Sequence, residues 1–550
     1  MKSQRGAALL ALTAVLVVGV TWMLVSAFSV AGTSAARTAH NARVLAEAKA
    51  ALVAWVAANA LEALEQNPGR LPCPQAWGDV GSTNEGRAAA VCSNPIGWLP
   101  WRTLGLPAML DASGRQLWYV VSPGWHLPNS STTLTINSNT PGALTLDGRP
   151  AVALLIAPGA ALSAAPNAAQ LAAGCIARVQ SGAVSVPANP RDYLECHGTH
   201  AFRSAVPDNG ANPVFNDQVV AVSPADLLPA LEAAIAKRIE RDIVPPLKNV
   251  YANAAWGLSA AHPVFAFAAP FADPGTSSFQ GAAGELQGLL PFNQTRDCSG
   301  ARCLPDLVAY AATPGNAVAV LGEIDSQSCV WESAQVRRCE GQYRGIPMRL
   351  EMSATFNNVA MGLRALDPSR LEVAARSNAV LGAWQPQPVD YSAVMNDGSI
   401  AGRPAGSVTL TFGATLPDLA AMGWGTSAQF RVRIDRAVIA DHALLDPAAA
   451  ATGWFVRNEW YRLLYYAIAP GHAASDPAPR SCSGCLEVSN VGPSRAILIL
   501  AGRSLAGAAR PNGALADFVE GSNADRDLAF ESRAVNAGFN DRVVVLDANL

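Results

Sequence analysis

Charge is scarce in this sequence: 15% of its 550 residues are Asp, Glu, Lys or Arg, and the formal net charge is −3. No run of Lys or Arg occurs, which argues against nucleic acid as a partner and against a polybasic membrane patch. Catalytic signatures are lacking too. There is no G-x-S-x-G elbow, H-E-x-x-H pair or P-loop, and no dinucleotide glycine fingerprint after a strand. The seven histidines are scattered, with only His197 and His200 close together. The chain is therefore read as a protein that is not an enzyme. Gly and Pro are missing from Thr33 to Asn67, so nothing in that Ala-rich stretch breaks a helix.

What the chain does contain is apolar residues, 50% by count, enough over this length for two or more cored domains. Ten cysteines fall as sequence neighbours: Cys73 and Cys92, Cys175 and Cys196, Cys298 and Cys303, Cys329 and Cys339, Cys482 and Cys485. Even numbers in local pairs read as disulfides formed in an oxidising compartment. Zinc is the rival reading for Cys482-Ser-Gly-Cys485 and for Cys196-His197-Gly-Thr-His200, although neither has a second ligand pair at finger-like spacing.

After Met1-Lys2-Ser3-Gln4-Arg5-Gly6 the sequence is almost uninterruptedly apolar or small from Ala7 to Gly32, long enough to cross a hydrocarbon core of about 30 Å. A cleaved signal peptide ending at Val25-Ser26-Ala27 is the alternative. Arg43 and Glu47 form an i, i+4 pair, and the helical pattern runs on to Gln66; such a helix is on the order of 90 Å long.

A short basic leader ending in Gly6, an abrupt apolar switch, a long helix and a cysteine-stapled ectodomain resemble the class III signal and architecture of type IV pilins and type II secretion pseudopilins. The string Gln4-Arg5-Gly6-Ala7-Ala8-Leu9-Leu10 is most similar to the large minor subunits, PilX-like pilins and the K-type pseudopilin. The resemblance implies cleavage by a prepilin peptidase after Gly6, methylation of Ala7, and partnership with other pilin or pseudopilin subunits. It also implies residence in the bacterial inner membrane before assembly, then a place in a pilus or pseudopilus in the periplasm or at the cell surface. Major pilins carry a glutamate at the fifth mature residue, where this sequence has Ala11. A subunit without that acid cannot pair its neighbour's buried amino terminus. The gap, shared with the K-type pseudopilin, and the size of the head point to a tip or low-copy position. Rival functions are a membrane-tethered binding protein or an envelope hydrolase outside any filament.

The chain also matches itself. Arg115–Gly124 matches Arg462–Gly471, Ala151–Ala157 matches Arg495–Ala501, and Phe215–Val220 matches Phe539–Val544, in the same order. Each matched run reads as a strand between turns. Gly288-Leu-Leu-Pro291 faintly repeats Gly97-Trp-Leu-Pro100. Between the units, Ser223-Pro224-Ala225-Asp226 reads as a capped helix start, with a break at Pro245-Pro246. The expected fold is α+β: leader 1–6, transmembrane half of a stem helix 7–32, its extracytoplasmic half 33–67, and a first pilin-like head 68–222. A connecting helix 223–262 and a second head 263–550 follow, each head a helix on an antiparallel sheet, with a β-rich insertion at about 298–455.

No cofactor is expected. Asp79, Asn84 and Glu85, and Asp525 with Asp527, are candidate calcium ligands only by analogy with the K-type pseudopilin, since neither group has EF-hand spacing. Trp98, Trp101, Trp118 and Trp125 read as core, with Trp98 and Trp101 the pair most apt to face outward among prolines and glycines.

Overall fold

Leu45, Ala48, Leu52, Val56 and Ala60 recur at helical spacing, and in the computed structural model they form the buried stripe of α1 (Gln4–Ala60). The structure describes residues 4–126, 135–160, 162, 167–172, 175, 194–206, 214–251, 265–282, 284–291, 306–314, 324–344, 348–356, 364–396, 407–435, 438–441, 444, 447–472, 484–505 and 513–548. Within α1, nearly all side chains before Ser34 lie outside the described ones.

This architecture corrects the expected fold class of a transmembrane stem carrying two pilin-like heads. The chain is an α+β protein in which sheets predominate, and among the described residues no helix is long and apolar enough to cross a membrane. The described half of α1 is amphipathic and docked. Asn41 Oδ1 accepts the Ala112 amide at 2.7 Å, and Lys49 Nζ donates to the Ala221 carbonyl at 3.0 Å while lying 2.9 Å from Asp226 Oδ2. The span expected at 7–32 falls on side chains outside the described set.

The chain divides into two units: Met1–Ala60 with Asn67–Ile136 and Thr140–Leu231, and Leu61–Gln66 with Asn137–Asn139 and Glu232–Leu550. In the first unit, β1 (Ile96–Trp98), β2 (Trp118–Val121), β5 (Ala153–Ala157) and β7 (Gln218–Val222) form one antiparallel sheet in that order. A smaller sheet pairs β3 (Leu144–Leu146) with β4 (Arg149–Ala151) on one side and, in parallel, with β6 (Ala201–Phe202) on the other. Trp118, Val120, Leu154 and Ile156 pack with Leu144, Leu194 and Phe202 into one core. A short α2 (Ala168–Ala172) lies between β5 and β6.

α3 (Pro224–Arg238) begins at a reciprocal cap, in which the Ser223 amide donates to Asp226 Oδ2 at 2.8 Å and the Asp226 amide donates to Ser223 Oγ at 3.3 Å. The break expected at Pro245-Pro246 does not occur. A π turn at Ile239–Ile243 leads directly into α4 (Val244–Tyr251), changing the hydrogen-bond register just where the two prolines remove amide donors.

The second unit opens its sheet with β8 (Gln287–Leu289). It then inserts two antiparallel sheets built from β9 (Asp306–Pro314), β10 (Ile324–Trp331), β11 (Val336–Tyr343), β12 (Met348–Phe356), β14 (Leu371–Ser377), β15 (Gln385–Gln387), β16 (Asp390–Asn396), β17 (Ser407–Leu416) and β18 (Ala428–Asp435). Their orders are β10-β11-β18-β14-β15 and β16-β17-β12-β9, and a separate ribbon joins β13 (Arg364–Leu366) to β19 (Ile439–Asp441). Period-two burial marks the inner faces: Ala428, Phe430, Val432 and Ile434 are buried between half-buried Gln429, Arg431 and Arg433. The loop before β18 carries α5 (Leu419–Met422), and α6 (Gly453–Arg457) follows β19.

After α6 the sheet resumes with β20 (Leu464–Ile468), β21 (Leu486–Val488), β22 (Gly492–Leu500), β23 (Ala529–Phe530) and β24 (Arg542–Ala548). The order β8-β20-β22, with β24 on β22, repeats β1-β2-β5-β7 strand for strand, and β21 joins β22 and β23 as β3 joins β4 and β6. Trp98 faces Trp118 where Leu289 faces Tyr465, and Trp118 faces Ile156 where Tyr465 faces Ile499. The middle self-match is therefore shifted by one residue: Ala157 is equivalent to Leu500, not Ala501, and Gly159 to Gly502.

Candidate functional site

Gly6, Ala7 and Ala11 lie on the helical backbone of α1 with side chains outside the described ones. Disulfides join Cys73 to Cys92 and Cys175 to Cys196. Cys339 and Cys485 are also disulfide-bonded, and Cys339 stands directly opposite Cys329 in the β10–β11 ladder. Cys298, Cys303 and Cys482 lie outside the described residues.

In the Cys196-His197-Gly-Thr-His200 segment the described side chains do not assemble the ligand set that the zinc reading requires. The Cys196 thiolate is consumed in its disulfide, and among the described residues no three metal-ligating side chains converge. His197 uses both ring nitrogens: Nδ1 accepts the Arg203 amide at 3.3 Å and Nε2 donates to Asp217 Oδ2 at 3.0 Å. That arrangement needs the neutral imidazole. Burial among Phe202 and Phe215 pushes the His197 pKa down to about 4, against the opposing field of Glu195. The uncharged imidazole therefore meets Asp217 through a hydrogen bond and not as the cation of an ion pair. Asp217 Oδ2 also accepts the Glu195 amide, and Glu195 Oε2 accepts the Asn216 amide.

The second unit repeats this network with another residue at its centre. Asp541 Oδ2 accepts the Glu520 amide at 2.8 Å and Asn523 Nδ2 at 2.9 Å, Glu520 Oε2 accepts the Asn540 amide, and Asn523 Oδ1 accepts the Glu531 amide. Asn523 therefore makes the two bonds that His197 makes, one to the equivalent aspartate and one to the amide following Phe530 or Phe202. Asn216 and Asn540 each donate from Nδ2 to the residue after a glycine, Ala160 O and Arg503 O, both at 2.7 Å.

Beside His197 the first unit has a hollow of about 280 Å³. Its floor is apolar: Ile96, Val120, Leu144, Leu194 and Phe202, several of them members of the main core. Its rim carries half-buried Pro95 and exposed Pro123, Thr199 and His200. The Thr199 hydroxyl and the His200 ring make no hydrogen bond to any described residue, and the His197 nitrogens are already engaged. The hollow offers apolar surface with a polar rim of Thr199, His200 and the already bonded His197.

The other sequence candidates are scattered. Glu85 accepts from the Gly81 amide and from Gln116 Nε2, closing its own turn, and Asp527 Oδ1 accepts the Ala529 amide. Trp98 does not face outward: it is buried with its ring centroid 4.3 Å from that of Trp118, because β1 is paired rather than a loop. Trp101 is half-buried, with the Arg102 guanidinium over its ring. Sequence reasoning missed the hollow because its lining comes from several separate segments, and only the self-match, read as paired strands, carried any signal of it.

No family model matches the chain, and no curated protein or solved structure matches it either.

Proposed function

We propose that this protein is a structural, partner-binding subunit of an extracytoplasmic assembly, a low-copy or tip component of a pilus or secretion pseudopilus of the type IV pilin kind. The observation that carries the reading is the leader Gln4-Arg5-Gly6 abutting Ala7-Ala8-Leu9-Leu10. Disulfides at Cys73–Cys92 and Cys175–Cys196 support export to an oxidising compartment. Ala11 in place of the filament-pairing acid supports a position with no subunit ahead of it. Its partners would be other subunits and a prepilin peptidase, and its action would be assembly rather than turnover.

Sequencing of the mature N-terminus after co-expression with a prepilin peptidase tests this. The expected product begins at N-methylated Ala7, and Gly6→Ala remains uncut. A mature chain starting at Met1, or near Phe28, overturns it. Immunogold labelling spread evenly along filament shafts counts against the tip position.

A further inference from the structure

The two repeats differ at the hollow. Six residues (196–201) separate Glu195 from Phe202, whereas nine (521–529) separate Glu520 from Phe530. In the second unit the longer loop is latched: Gln287 Nε2 donates to the Asp527 carbonyl at 2.5 Å, and Gln287 Oε1 accepts the Tyr465 hydroxyl at 3.2 Å. Strand register makes Gln287 the counterpart of Ile96. The Thr145 amide donates to His200 O as the Glu487 amide donates to Leu528 O, so Thr199 is the counterpart of Asp527. Ile96 and Thr199 both line the open hollow. The first unit therefore lacks the side-chain latch that ties these two walls together in the second.

We propose that the hollow of the first unit is a receptor for one large apolar side chain of a partner peptide, which supplies from outside the bridge that Gln287 supplies internally. Ile96 cannot donate to the Thr199 carbonyl; a peptide N–H can, while its side chain covers Val120, Leu194 and Phe202. Size admits that occupant: the hollow holds about 280 Å³, room for one large side chain, at the lower edge of the roughly 300 to 1,000 Å³ of pockets that take a whole small ligand. A saccharide or a nucleotide would need polar groups on the floor, where the lining is Ile, Val, Leu and Phe. This inference does not depend on whether the chain enters a filament.

The test uses the full chain with methyl-labelled Ile, Leu and Val, titrated with acetyl-Gly-Gly-Leu-Gly-Gly-amide and with the Ser analogue. Saturable shifts of the Ile96, Val120 and Leu194 methyls are expected for the Leu peptide and not for the Ser peptide. Ile96→Gln, which copies the second unit's latch, should weaken binding at least tenfold, and Gly198→Trp, at the exposed rim, should do the same. Thermal unfolding of both variants establishes that each is folded. Equal binding of the Ser and Leu peptides, undiminished binding by both folded variants, or tighter binding of octanoate than of the Leu peptide would overturn the assignment.

Discussion

His197 Nε2 stands 3.0 Å from Asp217 Oδ2 in the first unit, and Asn523 Nδ2 stands 2.9 Å from Asp541 Oδ2 at the same node of the second. A titratable ring and a non-titrating amide thus fill one structural role, and the difference between them is chemical rather than geometric. The node ties the aspartate just ahead of the last strand to the loop that carries Phe202 or Phe530.

Acid should therefore loosen the first unit through His197. Its folded pKa is lowered to about 4, with burial the main cause, while the unfolded value is the ordinary 6.5. Below 6.5 the unfolded chain takes up a proton that the folded chain refuses. Stability is intact above pH 6.5 and falls as pH drops toward 4, by about 3 kcal/mol at the limit. Glu195, Asp147 and Arg203 set the local field, and Asp217 is the direct partner. His197→Asn keeps a donor and an acceptor in place and should flatten this dependence. The check is urea unfolding of both proteins at pH 4.5, 5.5 and 7, where parallel curves would contradict the prediction.

Asp541 should behave in the opposite sense. Burial first, and the charge of Glu520 second, raise its pKa well above the ordinary carboxylate value. A raised carboxyl contributes most below about pH 4, where it is protonated in both states, and loses that contribution as pH rises through the folded pKa. Asp541→Asn retains the acceptor for the Glu520 amide and Asn523 Nδ2 without a buried charge. Scanning calorimetry at pH 8 should show a Tm increase of about 2–4 °C, shrinking to nothing near pH 4.

The repeat was legible in the sequence because Tyr119 and Tyr466 stand in strings with turn residues at fixed offsets, Pro123-Gly124 and Pro470-Gly471. Each tyrosine hydroxyl then donates to an upstream carbonyl, Pro72 O or Ala266 O. The one-residue slip in the middle match arose where the run is Leu, Ile and Ala alone, so that one register reads as well as the next. What fixes that register is the pair Gly159–Asn216, repeated as Gly502–Asn540, whose members are far apart in the chain. The His197 and Asn523 nodes were illegible for a related reason: different residue types at different spacings, six and eight residues before Arg203 and Glu531, perform one function. The docked face of α1 was hidden by the dominance of Ala, whose small side chain suits a buried stripe and an exposed surface equally.

Close backbone crossings at the two equivalent edge strands predict a graded pair of defects. A Cβ at Gly288 would meet the Ala269 carbonyl oxygen at 2.0 Å, and one at Gly97 would meet the Gln75 carbonyl oxygen at 2.8 Å. Both obstacles are main chain and cannot rotate away. Gly288→Ala should cost about 3 kcal/mol or more and Gly97→Ala about 1–2 kcal/mol. Chemical denaturation of the two variants tests the ranking; equal or negligible losses would show that the crossings relax.

Arg238 is fully buried, with its guanidinium 4.3 Å over the Trp454 ring, Nη2 donating to the Glu65 carbonyl at 2.7 Å and Nε to Asp242 Oδ2 at 3.1 Å. Burial lowers its pKa and Asp242 opposes that shift. Asp242 has a second cation in Arg241, 2.7 Å away, so removing Arg238 does not isolate the acid. The loss should fall instead on the Glu65 carbonyl, which keeps segment Leu61–Gln66 within the second unit, and on the face of Trp454. Arg238→Met is expected to cost about 3 kcal/mol. Arg238→Lys should recover less than half of that, because an ammonium lacks the planar stack and the forked donors. A double-mutant cycle with Asp242→Asn should show coupling below about 1 kcal/mol; strong coupling there would make the ion pair, and not the stacked carbonyl clamp, the reason the arginine is buried.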